Sequence, residues 1–491
     1  MDKTYPNTQL YINGIWKDAD SSETIEVINP AFENIIGKVA HARKPDLEEA
    51  IYAADIAFKK WKSVNSFERY KILQKAASLL RERANEIARI MTIEQGKPIG
   101  ESLAEVNLSA DITDWLGEEA RRTYGRLIPS RSTEIYQMVV KEPVGPVAGF
   151  SPWNFPINQA VRKIGGAVAA GCSIIIKGPE ETPASCAELV RAFADAGVPS
   201  GVINLVFGIP SEVSEYLIPH PVIRKISFTG STSVGKVLAS LAGLHMKLVT
   251  MELGGHAPAI IFEDADVEST VQMIANNKYR NAGQVCVSPT RFLVHESLYE
   301  KFVDGFVKIS NQQVLGDGLD PKTTMGPLAH DRRLEAMESF VLDAKNKGAK
   351  IRTGGKRFGN KGYFFEPTVL TDVSIDTKLM NEEPFGPLAP IASFSDFDEV
   401  IEESNRLSYG LASFAFTNST KNAEKIGPIR KQGESQRRNR QGPPCQYSWS
   451  VGSMRMTGLF DGGESFYYAN DGQRRLSLNR PTFACRNSSA C

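Results

Sequence analysis

Val144-Gly-Pro-Val-Ala-Gly-Phe150, a helical stretch from Ile157 to Ala170, and Ser173-Ile-Ile-Ile-Lys177 follow one another with only turn-forming residues between them. The two apolar runs are too short for helices and lack polar alternation, as expected of strands covered on both faces. Strand, helix and strand in that order make a βαβ unit with its strands parallel in a buried sheet. The alternation continues through a helical segment from Thr182 to Ala196, then Val202-Ile-Asn-Leu-Val206 and Ile226-Ser-Phe-Thr229.

Outward from this core the texture changes. Upstream, Asp46 to Glu118 reads as long amphipathic helices, with Leu47, Ala50, Ile51, Ala54 and Phe58 at helical spacing, and again Ile72, Leu73, Ala76 and Leu79. Ile135-Tyr-Gln-Met-Val-Val-Lys141 is hairpin-like and interrupts the first unit as an arm suited to pairing with another subunit. Downstream, a second alternating region opens at Ala257-Pro-Ala-Ile-Ile-Phe262, with a helix over Val267 to Ala282 and a strand at Arg291-Phe-Leu-Val294, and runs to about Phe416. After Ile429 the chain turns rich in Arg, Gln and Gly, and the sequence to Cys491 shows neither periodicity.

Composition narrows the function. A chain of 491 residues has length for about two to four domains. Lys plus Arg and Asp plus Glu both number 57, so no global field recruits nucleic acid or an anionic membrane, and a small molecule is the expected partner. The Met1-Asp2-Lys3 start has no secretory pattern, and no apolar run reaches the roughly 20 residues of a membrane span. Cysteines 172, 186, 286, 445, 485 and 491 lack the paired spacing of zinc sites, which predicts no metal and fits a reducing cytoplasm.

Local motifs suggest chemistry. In Asn281-Ala-Gly-Gln-Val-Cys-Val287 a cysteine among small residues follows a helix, where a thiol of lowered pKa would suit nucleophilic catalysis; an inert core cysteine reads the same way. Met251-Glu-Leu-Gly-Gly-His256 sets a carboxylate beside flexible backbone, a general base or a surface Glu before a turn. In Ser151-Pro-Trp-Asn-Phe-Pro156, Asn154 can donate its amide to an oxyanion or complete a turn. Phe228-Thr-Gly-Ser-Thr-Ser-Val-Gly-Lys236 is a strand, glycine turn and helix start where a pyrophosphate can sit, though it is neither Gly-x-Gly-x-x-Gly nor a P-loop, since Val237 replaces the hydroxyl residue.

Taken in order, Pro-Trp-Asn-Phe-Pro, Lys-Gly-Pro-Glu-Glu-Thr-Pro, Phe-Thr-Gly-Ser-Thr, Glu-Leu-Gly-Gly, Gly-Gln-Val-Cys and Glu-Glu-Pro-Phe-Gly-Pro resemble the aldehyde dehydrogenase superfamily over about residues 8 to 428. The resemblance implies an α/β, aldehyde dehydrogenase-like fold. It places a Rossmann-type NAD-binding domain at 1–126 and 146–256, an oligomerisation arm at 127–145 and an α/β catalytic domain at 257–430. It implies Cys286 as nucleophile, Glu252 as general base and Asn154 as oxyanion donor with the Cys286 N–H. Trp153, Lys177, Glu180, Gly230, Ser231, Glu383 and Phe385 match cofactor-binding positions. A carboxylate at 180 would accept from ribose hydroxyls and repel a 2′-phosphate, which favours NAD while leaving NADP open. Arg162 and Arg280 match positions that hold a distal carboxylate in succinate-semialdehyde dehydrogenases, and the chain is also similar to α-ketoglutarate-semialdehyde dehydrogenases. Either arginine could instead sit in a structural ion pair.

The family's glycine-rich Pro-Phe-Gly-Gly stretch and final oligomerisation strand are not found. Residues 431–491 instead resemble the product of a shifted reading frame, whose folding the sequence leaves open, and this makes the family's dimer or tetramer doubtful here. A nucleotide-binding relative with impaired turnover is the competing function, and a cofactor-free thiol hydrolase is disfavoured by Lys177, Glu180 and Glu383.

Overall fold

The computed structural model describes residues 5–429, 447–452 and 479–486. The upstream helical region resolves into Lys44–Trp61, Ser66–Glu82, Ala84–Gln95 and Ile99–Ala120. Asn65 caps the second by accepting from Phe67 N and Glu68 N, and Gly96, at a φ of 95°, ends the third in the left-handed conformation that a β-carbon disfavours.

Seven strands form the first sheet, in the order Leu248–Glu252, Lys225–Thr229, Val147–Phe150, Ile174–Lys177, Ile203–Val206, Leu10–Ile12 and Ile15–Lys17. The first five are parallel, and the expected strands and crossover helices Pro156–Ala170 and Pro183–Ala196 are all present. The last two are antiparallel and were not foreseen: at three residues each they are too short to show a period. From Val147–Phe150 the chain winds outward to Ile203–Val206 and then returns to lay Lys225–Thr229 on the other side. The crevice beyond the carboxyl ends, where that direction reverses, is where open α/β sheets bind ligands.

The second sheet is built around Ala257–Ile261, Pro289–His295, Leu388–Phe394, Thr368–Thr371 and Ala412–Thr417, which run parallel, with Lys350–Thr353 antiparallel at one edge. Each sheet has its own apolar core, one including Ile164, Ile175 and Ile226, the other Phe292, Phe306 and Ile391. The helix after Ala257–Ile261 ends at Tyr279 rather than Ala282, because Asn281, Ala282 and Gly283 take left-handed φ values of 49°, 51° and 75°.

Within the tail two strands are described. Tyr447–Gly452 lies antiparallel to Ala412–Thr417, and Asn479–Arg486 lies antiparallel to Ile135–Lys141. In the first, Tyr, Trp and Val alternate with Ser, a period of two that the surrounding Arg- and Gln-rich composition hides. The remaining tail, with Cys445 and Cys491, lies outside the described residues. Among the described residues no helix is long and apolar enough to cross a membrane, and no group of three or more His, Cys, Asp and Glu side chains could hold a metal ion.

Candidate active site

The first sheet contributes its carboxyl ends. Thr229 pairs with Glu252, Phe228 with Phe150, and Phe150 with Lys177, so the segments carrying Gly230, Glu252, Asn154 and Lys177 leave adjacent strands at one edge. The second sheet contributes its amino ends: Cys286 lies just before Pro289–His295, and Glu383 just before Leu388–Phe394. The two edges meet through hydrogen bonds. Asn154 Nδ2 donates to Gln284 O at 3.0 Å, and Gly255 N donates to Glu383 Oε1 at 3.1 Å.

The Cys286 loop is held by its neighbours. Asn281 N donates to the Glu101 carboxylate at 2.8 Å and Gln95 Nε2 to Asn281 Oδ1 at 2.8 Å, while Gln284 Oε1 accepts from Ala329 N at 2.9 Å. Gly283 has to be glycine: its φ is left-handed, and a β-carbon there would overlap the carbonyl oxygen of Gly386. Ala282 carries the same φ with a side chain, a strain of about 1 kcal/mol or more that the surrounding contacts must hold.

Cys286 is half-buried, and its thiol is pushed up to about 12, first by burial and then by the negative charges of Glu383 and Glu252. This shift runs opposite to the lowered pKa that would suit a nucleophile. The N–H groups of Cys286 and Val287 act in the other direction but do not win. A neutral thiol at pH 7 needs a base to become a nucleophile, and Glu252, at the end of a first-sheet strand, is a carboxylate within electrostatic reach of it.

Arg162 lies on helix Pro156–Ala170 with Nε donating to Asn158 Oδ1 at 3.1 Å. Burial lowers it to about 10, while the charges of Glu252 and Cys286 act to raise it, so it lies within electrostatic reach of both. Among the described residues it makes no ion pair. Arg280 is exposed at the end of its helix, its guanidinium 5.5 Å from the Phe155 ring centre.

On the cofactor side, Trp153 meets Phe385 edge to face at 5.7 Å between ring centres. Phe385 has a φ of 46°, and Arg333 donates to its carbonyl at 3.1 Å and also to that of Pro384. Lys177 and Glu180 form an ion pair, and the other Glu180 oxygen, Oε1, is buried without a hydrogen-bond partner. Gly230 N donates to Glu252 O at 3.0 Å, and Ser231 caps helix Thr232–Leu244 by accepting from Val234 N. Burial raises Glu383 to about 7, against the Gly255 N–H, Arg333 and Lys278.

Sequence reasoning missed Lys163. It is buried one residue after Arg162, donates to Thr229 Oγ1 at 2.6 Å, and is lowered to about 7 by burial while Glu252 acts to raise it. A lysine leading into the otherwise apolar Ile164-Gly-Gly-Ala-Val-Ala-Ala170 was an available signal. Lys278, also lowered to about 7 by burial, and His256 beside Thr290 were likewise missed.

A sequence profile described as the aldehyde dehydrogenase family matches residues 16–436. The 4-(hydroxymethyl)benzenesulfonate dehydrogenase of Comamonas testosteroni is 43% identical over 417 residues, covering 85% of this chain and 87% of that protein. The NADP(+) succinate-semialdehyde dehydrogenase of Escherichia coli is 38% identical over 425 residues, covering 87% and 88%. The crystal structure of succinate-semialdehyde dehydrogenase from Burkholderia pseudomallei superimposes with a TM-score of 0.86 at 38% identity, over 88% of this chain and 90% of that one. With the motifs gathered at the meeting edges of two α/β sheets, these likenesses establish that the chain is an oxidoreductase of the aldehyde dehydrogenase family.

Proposed function

We propose that the chain oxidises a small aldehyde with a distal anionic group, of the succinate- or α-ketoglutarate-semialdehyde class, to the carboxylic acid, with NAD as the favoured cofactor. The observation that carries this reading is Arg162: a half-buried guanidinium, free of ion pairs among the described residues, within electrostatic reach of Cys286 and Glu252. Such a group is costly to bury unless a ligand anion meets it, and its planar fork suits a carboxylate. A sulfonate offers oxygens of the same charge, in keeping with the Comamonas relative's name.

In the reaction, Glu252 takes the proton from Cys286 Sγ, and the thiolate bonds to the aldehyde carbon. The oxygen becomes an oxyanion that accepts from Asn154 Nδ2 and the Cys286 N–H. The nicotinamide supplies the hydride acceptor when bound. Loss of hydride from the tetrahedral carbon restores the carbonyl as a thioester. Glu252 releases its first proton to solvent and then draws one from water, the oxygen adds to the thioester carbon, and the C–S bond breaks to release the acid, the thiolate taking the proton back from Glu252.

The family uses NAD(P), and the residues here fit a dinucleotide. The unpartnered Glu180 Oε1 is a buried acceptor suited to a ribose hydroxyl, and the Gly230–Ser231 turn opens a helix towards the crevice. Glu383 would accept from the second ribose, with Phe385 and Trp153 beside the ring and Lys177 paired to Glu180.

The test compares NAD reduction with succinate semialdehyde and with butanal in wild type and Arg162→Met. The expected result is a fall of about 10- to 100-fold in kcat/KM for the semialdehyde and little change for butanal. Equal losses on both would reject Arg162 as the anion receptor. A wild-type chain that binds NAD but turns over only when a family-like C-terminus is restored would favour the impaired relative.

A further inference from the structure

The proposed chemistry uses the Asn154 side chain, yet the most heavily held atom of that residue is its backbone oxygen. Lys97 Nζ donates to Asn154 O at 2.7 Å and to Glu105 Oε2 at 2.7 Å, and the Lys97 and Glu105 side chains are 0% and 1% exposed. Asn281 Nδ2 donates to the same Asn154 oxygen at 3.0 Å. The Lys97 ammonium lies 4.1 Å from the Phe155 ring centre. Glu105 Oε1 accepts from Ile157 N and Asn158 N, each at 3.0 Å, at the start of the helix that carries Arg162. Lys97 N donates to Gln95 Oε1 at 3.0 Å, and Gln95 Nε2 reaches Asn281 at 2.8 Å, which closes the network onto the nucleophile loop.

Burying two opposite charges costs several kcal/mol per ion before their attraction offsets it, and a well-packed apolar pair is often at least as stable. The pair is better explained by what it orients. Apart from the bonds that join Lys97 to Glu105 and to Gln95, every hydrogen bond named above ends on the Asn154 turn, on the helix beside it or on the Cys286 loop.

We propose that Lys97 is a positioning residue for the oxyanion site: its ammonium fixes the Asn154 carbonyl, holding the Asn154 amide in register with Cys286. This rests on the reading of Asn154 as oxyanion donor. Losing such a donor outright costs about 10²- to 10³-fold, and displacing one by about 1 Å costs up to about 10²-fold.

The test is a double-mutant cycle on the full chain, read by NAD reduction with succinate semialdehyde. Lys97→Met is expected to lower kcat by about 10- to 100-fold with KM changed less than about threefold, and to cost less than about twofold more when Asn154 is already Ala. A merely structural lysine would give losses that multiply. Multiplying losses, or an unchanged kcat in Lys97→Met, would overturn the proposal. If Lys97→Met fails to fold, the neutral pair Lys97→Met with Glu105→Gln removes the uncompensated charge and is read through the same cycle. An unimpaired Asn154→Ala, or a wild type without activity, would instead remove the oxyanion reading on which the proposal stands.

Discussion

The two sheets supply the site in opposite ways. The first offers the carboxyl ends of adjacent parallel strands, where Phe150, Lys177, Thr229 and Glu252 stand in fixed register and the functional groups sit at or just past them. The second offers irregular backbone before its strands, where Asn281, Ala282, Gly283 and Phe385 are left-handed and Asn281 and Phe385 are pinned by hydrogen bonds from distant segments. Regular hydrogen bonding makes the first edge robust to a change of side chain. The second depends on close contacts that a single methyl group can break.

If that contrast holds, Glu252→Gln should fold as the wild type does, with an unchanged melting temperature, while kcat falls by about 10²- to 10⁴-fold through loss of the base. A substantial drop in stability would show that this edge, too, is held by its side chains. Gly283→Ala should do the reverse and cost more than about 1 kcal/mol of stability, because the new β-carbon meets the Gly386 carbonyl at a positive φ. Wild-type stability in a denaturant titration would contradict the pinned-loop account.

The smallest effect concerns Glu383, raised to about 7 by burial. Its folded pKa exceeds the usual carboxylate value of 4.5, so its contribution to stability is present below 4.5 and is lost as pH rises through about 7. Only the ionised form is acceptor-only, so NAD affinity should rise a few-fold from about pH 6 to 8 and become flat in Glu383→Gln. An equally steep profile in that variant would assign the titration to another group.

The same contrast explains what the sequence could show. Six parallel strands were readable as short apolar runs near Gly or Pro, and the long helices by their apolar period of 3.6, whereas Leu248–Glu252, Thr368–Thr371, Leu388–Phe394 and Ala412–Thr417 were not. The early end of the helix at Tyr279 was not readable, since Ala282 prefers to continue a helix and only distant partners such as Gln95 and Glu101 prevent it. The raised Cys286 thiol was hidden for a related reason: Glu252 and Glu383 come to it from 34 residues before and 97 after in the chain, as their numbers give. Lys97 and Glu105 lie within an amphipathic helical region, where charges ordinarily face water.

The central claim is that a neutral Cys286 thiol, deprotonated in the act by Glu252, carries the substrate as a thioester. The most direct measurement is mass spectrometry of the full chain quenched during turnover with succinate semialdehyde and NAD, alongside Cys286→Ala. The account predicts an acyl adduct on the Cys286 peptide of the wild type and, in the variant, no adduct and a turnover lower by at least about 10³-fold. Undiminished NAD reduction in Cys286→Ala, or an adduct on another residue, would contradict it.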